Sequence, residues 1–355
     1  MDLLVLGGTA WLSREVAREA VSRGHSVTCL ARGEAGRIAE GARLVTADRD
    51  RPDAYGGVSG DRWDAVVDVA RHPGHVRRAV AALEPVAARY LFVSSANVYA
   101  GQREFGEDED AALLPPLAAD VMESMESYGE AKVACERALL DGFGTDRTLV
   151  ARAGLIGGPG DVSGRSGYWP WRFAHPSNPD RAVLVPDDPQ VPTAGIDVRD
   201  LAGWIVGCAE DGTSGVFNAA GEPWPLEDHL AVARSVAGHS GPLVPAPPGW
   251  LAEHGVQSWM GPTSLPLWLD DADWYGMNAR STDRARVAGL VTRPLEETLS
   301  DTLAWERSRP DPGPHGAGLT DEEERRLLTL LSDTGPSCPT PATLADRAVR
   351  RTGFD

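Results

Sequence analysis

Leu3-Leu4-Val5-Leu6-Gly7-Gly8-Thr9 joins a short apolar run to a pair of glycines, and a helical pattern follows from Ser13 to Ser22. Four apolar residues in a row suit a parallel strand buried on both faces. Strand, glycine turn and helix in this order open a nucleotide-binding βαβ unit. There the free N–H groups of a helix N-terminus, backed by the helix dipole, bind a pyrophosphate. The frame G-x-x-G-x-x-G reads Gly7, Ala10 and Ser13, so one glycine of three is kept. Ala10 and Ser13 are small, and close approach of a phosphate stays feasible. Gly7, Thr9, Ala10, Trp11 and Leu12 are the expected cofactor contacts in this turn.

Working outward, His25 to Leu30 reads as a second strand ending in Ala31-Arg32-Gly33. An acidic residue at this strand end holds a free ribose 2′-hydroxyl, whereas a 2′-phosphate wants a cation. Ala31 has no carboxylate and Arg32 supplies the cation, which favours NADP, with NAD as the alternative. Ala42 to Ala47 is a third strand running into Asp48-Arg49-Asp50. Asp48 is placed to accept from the adenine amino group, and Arg49 to add to the phosphate site. Asp64 to Ala70 is a fourth strand. Ligands in such sheets bind beyond the carboxyl ends of the strands, so Val69, Ala70 and Arg71 are further expected contacts. Tyr90 to Val93 is a fifth strand and opens into Ser94-Ser95-Ala96-Asn97-Val98-Tyr99. Serines at that point can hydrogen-bond a substrate oxygen or simply cap the strand end.

Gly101 to Met125 is polar and acidic and reads as a long loop able to overhang a pocket. It delivers Tyr128-Gly129-Glu130-Ala131-Lys132. Tyrosine and lysine four apart on a helix share one face, one turn from each other. A fixed ammonium beside a phenol favours the phenolate, which makes Tyr128 a candidate general acid/base. A sixth strand, Thr148 to Arg152, leads to Ala153, Gly154 and Leu155, expected on the cofactor as well, and then to Gly158-Pro159-Gly160-Asp161. Beyond Asp161 prolines multiply and tryptophans recur, most of them expected in the core of a smaller lobe. Ala194 to Asp200 with the following Leu201 to Val206 reads as strand then helix, and Gly215 to Gly221 as another strand. Thr320-Asp321-Glu322-Glu323 is a capping box that starts a helix through Leu331.

The totals agree with an intracellular α/β protein. At 355 residues and 42% hydrophobic content the chain can bury a large core. A formal charge of -18 opposes nucleic acid and anionic membrane surfaces as partners. No apolar run nears the length of a membrane span and no leader is read, so the expected location is cytoplasmic. The four cysteines lie far apart and outside metal-ligand spacings, which suggests neither a metal site nor a disulfide framework.

Taken together, Gly7-Gly8-Thr9, Ser94 to Tyr99, Tyr128 to Lys132, Arg152 and Gly158 to Asp161, followed by Ile196 to Ala202, Gly215 to Gly221 and Leu303 to Glu306, come in the order of a known family. The chain resembles the extended short-chain dehydrogenase/reductases, described broadly as the NAD-dependent epimerase/dehydratase family, from Met1 to about Glu306. The resemblance implies a Rossmann-type doubly wound parallel sheet with a smaller C-terminal substrate-binding lobe. Residues 1–165 would form the cofactor-binding domain, with later strands from 190–221, residues 166–331 mainly the lobe, and residues 332–355 a surface tail. It also implies roles. Ser95 corresponds to the serine that hydrogen-bonds the reacting oxygen, Tyr128 to the proton donor or acceptor, and Lys132 to the residue that holds the nicotinamide ribose and supports the tyrosine.

Two departures narrow the activity. Ala96-Asn97 stands where the sugar-nucleotide dehydratases carry an Asp-Glu pair, and Ala31-Arg32 where NAD-retaining epimerases carry an acid. The expectation is an NAD(P)-dependent oxidoreductase acting on a small or glycosylated metabolite. A redox-neutral epimerase of a sugar nucleotide and a non-catalytic NADP-binding sensor or scaffold are the alternatives. A homodimer through the helix carrying Tyr128 is a further expectation from the resemblance.

Overall fold

The computed structural model describes residues 1–333; the expected tail beyond Asp333 lies outside them. In chain order the first half forms β1 (Asp2–Leu6), α1 (Trp11–Ser22), β2 (Ser26–Ala31), β3 (Arg43–Thr46), β4 (Ala65–Asp68), α2 (Pro73–Leu83), β5 (Tyr90–Ser95), α3 (Tyr128–Phe143) and β6 (Thr148–Ala153). The second half begins β7 (Leu155–Gly157), α4 (Arg165–Ala174), β8 (Val183–Pro186), β9 (Pro192–Asp197), α5 (Val198–Asp211), β10 (Gly215–Ala219), β11 (Pro223–Pro225) and α6 (Leu226–Val236). Seven strands make one parallel sheet in the order β10-β6-β5-β4-β1-β2-β3.

β1 explains why the sheet is covered on both sides. Its residues alternate between two cores: Leu3 and Val5 pack with α1 and α5, whereas Leu4 and Leu6 pack with residues of α2 and α3. Period-two alternation with both faces apolar is what a central parallel strand requires. The chain runs from β1 to β2 and β3 on one side and returns to β4, β5 and β6 on the other. That reversal opens a crevice at the carboxyl ends of β1 and β4.

The second half contributes to both bodies. β10 pairs with β6 in the main sheet, while β9 joins β7 and β11 in a small sheet of its own. A separate core gathers α4, β8 and α6 around Trp169, Phe173 and Trp268, all essentially inaccessible. Trp224 and Trp274 are exposed, so the expectation of tryptophans in the lobe core describes some of them and not others. The last helix of the described residues, Asp321–Asp333, carries the capping box: Glu323 N–H donates to the Thr320 hydroxyl at 3.2 Å, and Thr320 N–H to the Glu323 carboxylate at 2.7 Å. Buried Arg172 of α4 ties that helix down through Asp321 at 2.6 Å and Glu324 at 3.3 Å.

Candidate active site

The glycine turn is built for close approach. Gly7 and Gly8 take φ of 132° and 93°, and a Cβ on Gly8 would run into the Cys29 side chain. The altered frame has a local reason. The Ser13 hydroxyl accepts from Gly8 N–H at 2.9 Å and donates to the Ala10 carbonyl at 3.2 Å, pinning the turn where the third glycine of the frame would stand. Ala10 offers α1 no side-chain cap. The first N–H groups of the helix are therefore left for an anion. The Trp11 indole donates to the Pro159 carbonyl at 2.8 Å, tying the turn to the loop after β7, and the Leu12 side chain packs on the first core.

Gly7, Thr9, Arg32, Asp48, Arg49, Val69, Ala70 and Arg71 line one cleft of about 350 Å³ at the crevice. Ala153, Gly154 and Leu155 do not line it. Ala153 is buried at the end of β6, Gly154 N–H bonds the Ala219 carbonyl, and Leu155 packs against the lobe core. Asp48 turns one carboxylate oxygen back to Asp50 N–H at 3.1 Å. Arg32 is largely exposed and lies 3.3 Å from Glu34, a surface pair that holds it weakly.

Arg49 lines the cleft, but its guanidinium is engaged by a buried carboxylate. Its two terminal nitrogens grip both oxygens of Asp68 at 2.8 and 2.7 Å, and its Nε donates to the Tyr55 hydroxyl at 2.9 Å. Asp68 is inaccessible and also accepts from the Tyr90 hydroxyl at 2.7 Å and Ala70 N–H at 2.9 Å. A buried carboxylate demands such a partner, and the demand outweighs any pull toward the cleft. Burial would raise the Asp68 carboxyl; the Arg49 guanidinium overcomes this and holds it below its usual value.

Tyr128 is the first residue of α3 and half-buried, with Lys132 one turn on and only 3% exposed. The Lys132 ammonium donates to the Ala70 carbonyl at 2.8 Å and the Val93 carbonyl at 2.7 Å, bridging the ends of β4 and β5, and lies 5.9 Å from the centre of the Tyr128 ring. An ammonium has three donors, so one is not taken by a carbonyl; the ammonium also lies 4.7 Å from the centre of the Phe92 ring. Ser95 ends β5, accepts from Asn97 N–H at 3.2 Å and donates to the Asn97 side chain at 3.0 Å. Its capping role is thus real, and in this arrangement the hydroxyl must turn from Asn97 before it can donate elsewhere.

Gly129 lets α3 reach this strand end. A Cβ there would strike the Asn97 carbonyl and the Leu114 side chain. Gly129→Ala is expected to lower stability by about 1–3 kcal/mol through overpacking, read as a fall in the thermal unfolding midpoint.

The spacing argument stopped at Lys132, but the next position on the same face, Glu136, is also buried. It pairs with Arg152 at 2.9 Å and accepts from the Ser94 hydroxyl. The loop from Gly101 is held down rather than free: Glu109 accepts from Asn218 N–H at 2.6 Å, and Arg280 donates to the Gly101 carbonyl at 2.5 Å. A larger cleft of about 510 Å³, lined in part by Asp200, Glu222, His229, Arg286 and Arg293, shares no residue with the cleft lined by Gly7 and Arg32 or with Ser95, Tyr128 and Lys132. Its cations are already paired, Arg293 with Asp200 and Arg286 with Glu222. Among the described residues no cluster of three metal-binding side chains occurs, and no helix is long and apolar enough to cross a membrane.

No family model and no curated protein matches the sequence. Solved structures do. A protein from Burkholderia cenocepacia assigned as an epimerase superposes with a TM-score of 0.64 at 23% identity, over 87% of this chain and 98% of that one. WbmH of Bordetella bronchiseptica, solved with NAD+, gives 0.62 at 17%, over 87% and 99%. UDP-glucose 4-epimerase of Bifidobacterium longum, solved with NAD+ and UDP, gives 0.59 at 16%, again over 87% and 99%. The chain therefore has the Rossmann-type fold of these solved structures, the doubly wound parallel sheet with a smaller C-terminal lobe that its motifs led one to expect.

Proposed function

We propose that the protein is an NAD(P)-dependent oxidoreductase of the extended short-chain dehydrogenase/reductase family, with Tyr128 as general acid/base, acting on a carbonyl or alcohol of a small or glycosylated metabolite. The observation that carries this reading is Lys132. A buried ammonium bridging two strand ends with one donor left over, beside a half-buried phenol, is an expensive arrangement for a residue with no ligand to meet.

The residues present fit a dinucleotide. The Gly7-Gly8 turn and the uncapped start of α1 suit a pyrophosphate, the cleft from Arg32 to Arg71 suits an adenosine, and the free Lys132 donor suits a ribose hydroxyl. When bound, the nicotinamide supplies or accepts a hydride. The chain's own residues handle the oxygen. Ser95 and Tyr128 hydrogen-bond it, Tyr128 gives it a proton in reduction and takes one in oxidation, and the Lys132 charge stabilises the phenolate left behind. If purified protein binds neither NADPH nor NADH in a fluorescence titration, the reading falls.

Arg32 makes NADP the preferred form. Arg32→Ala is expected to weaken NADPH binding about tenfold, roughly the worth of one charge-assisted hydrogen bond, and to leave NADH binding unchanged. Equal losses for both would remove Arg32 from the 2′-phosphate.

A redox-neutral epimerase is the second reading, favoured by the solved neighbours, two of which were determined with NAD+. Such an enzyme retains its cofactor through purification. Absorbance of fresh protein near 340 nm or release of NAD+ on denaturation, about one equivalent per chain, would favour it over an oxidoreductase that exchanges cofactor each turnover.

A further inference from the structure

The cleft of about 510 Å³ lies where β9, β11, α6 and the helix Leu295–Ser308 meet, and its size is that of a small-molecule site. Thr193, Gly195 and Asp197 alternate along β9 and so share the face that lines it. Trp224 of β11 stands across from Thr193 and is 37% exposed. His229, one turn into α6, also lines the cleft and is only 7% exposed. Its Nε2 is inaccessible and has no hydrogen bond; Nδ1, which is not closed off in that way, has none among the described residues either. Every other histidine of the chain places a ring nitrogen on a carboxylate, a carbonyl or a backbone N–H. Buried polar groups left without a partner are rare and costly. His229 is the exception that asks for a ligand.

The rest of the lining says which ligand. Its charges are already spent, Arg293 on Asp200, Arg286 on Glu222 and Asp197 on Arg199. An ion entering the cleft would have to break one of these pairs. Pro294, Leu295 and Val291 add apolar wall, and the Trp224 indole adds a flat face. Burial pushes the His229 imidazole down to about 4, so at neutral pH the ring is uncharged and offers one donor and one acceptor. Apolar walls with a few polar groups that fix orientation are the usual make-up of a site for an uncharged ring compound.

We propose that this cleft is a second small-molecule site, which takes an uncharged aromatic compound whose O–H or N–H bonds the His229 ring while its flat face lies along Trp224. The cleft shares no residue with the one lined by Gly7 and Arg32 or with Ser95, Tyr128 and Lys132. The site therefore stands apart from the oxidoreductase reading and does not depend on it.

The test titrates the full chain at neutral pH with three naphthalenes, followed by ligand fluorescence and calorimetry. 2-Naphthol carries a hydroxyl, 2-methylnaphthalene lacks it, and 2-naphthoate replaces it with a charge. Wild type is expected to bind about one equivalent of 2-naphthol per chain, about tenfold more tightly than either of the others, roughly the worth of one hydrogen bond. His229→Leu should erase that preference while the thermal unfolding midpoint holds or rises, because an unpartnered buried nitrogen is removed. Trp224→Ala, at an exposed position, should weaken binding of all three, and it keeps the test decisive if His229→Leu does not fold. Excess NADP+ should leave 2-naphthol bound. The proposal is overturned if 2-naphthol binding does not saturate, if either folded variant binds the three compounds as wild type does, or if NADP+ displaces 2-naphthol, which would place it in the cleft lined by Gly7 and Arg32.

Discussion

Tyr128→Phe is expected to lower turnover by about 10²–10⁴-fold, the contribution of a positioned general acid/base, while NADPH binds within about twofold of wild type. The contrast follows from the arrangement of α3. Lys132 is held by two backbone carbonyls, of Ala70 and Val93, and owes none of those bonds to the tyrosine. Removing the phenolic oxygen therefore deletes the proposed proton donor and leaves the ammonium in place. Single-turnover NADPH oxidation measures the chemical step, and a fluorescence titration measures binding. Unchanged turnover would remove Tyr128 from the chemistry, and a collapse in NADPH binding would assign it a structural role. Lys132→Met should do both kinds of damage, because it strips the crevice of its ammonium and leaves two carbonyls without their donor.

What could be read in the chain was whatever depends on local order. Leu3 to Thr9 announced a central parallel strand running into a glycine turn, and the four-residue spacing of Tyr128 and Lys132 announced a helix; the strand, the turn and the helix are seen. The partners of the charged groups were not legible, because pairing across the sheet leaves no periodic trace. Arg49 sits next to Asp48 and Asp50 in the chain, yet its guanidinium reaches Asp68, nineteen residues away on another strand. Ser95 was legible as a strand-end hydroxyl, but its bond to Asn97 depends on the short turn that follows. Glu136 could have been found by carrying the four-residue step once more along α3.

Arg49→Met decides between two roles for the same side chain. If Arg49 serves the fold through Asp68, the variant strands an inaccessible carboxylate and loses about 3–5 kcal/mol of stability at pH 7, the cost of breaking a buried pair from one side. If instead it served a phosphate, stability would hold and NADPH affinity would drop. Urea unfolding followed by circular dichroism separates the two. The pH dependence adds a second check. The Asp68 carboxyl is held below its usual value in the folded protein, so its contribution to wild-type stability is fully present above the unfolded value of about 3.9 and is lost as pH falls through the folded value. In the variant the carboxyl has lost its cation and burial raises it, so it takes up a proton earlier on acidification. The stability gap between the two proteins should therefore narrow from pH 7 toward pH 4.5. Arg49→Met with Asp68→Asn, which removes the stranded charge, should be more stable at pH 7 than Arg49→Met alone. A double variant no better than the single one would mean that Arg49 matters for its bond to Tyr55 or its packing and not for the charge of Asp68.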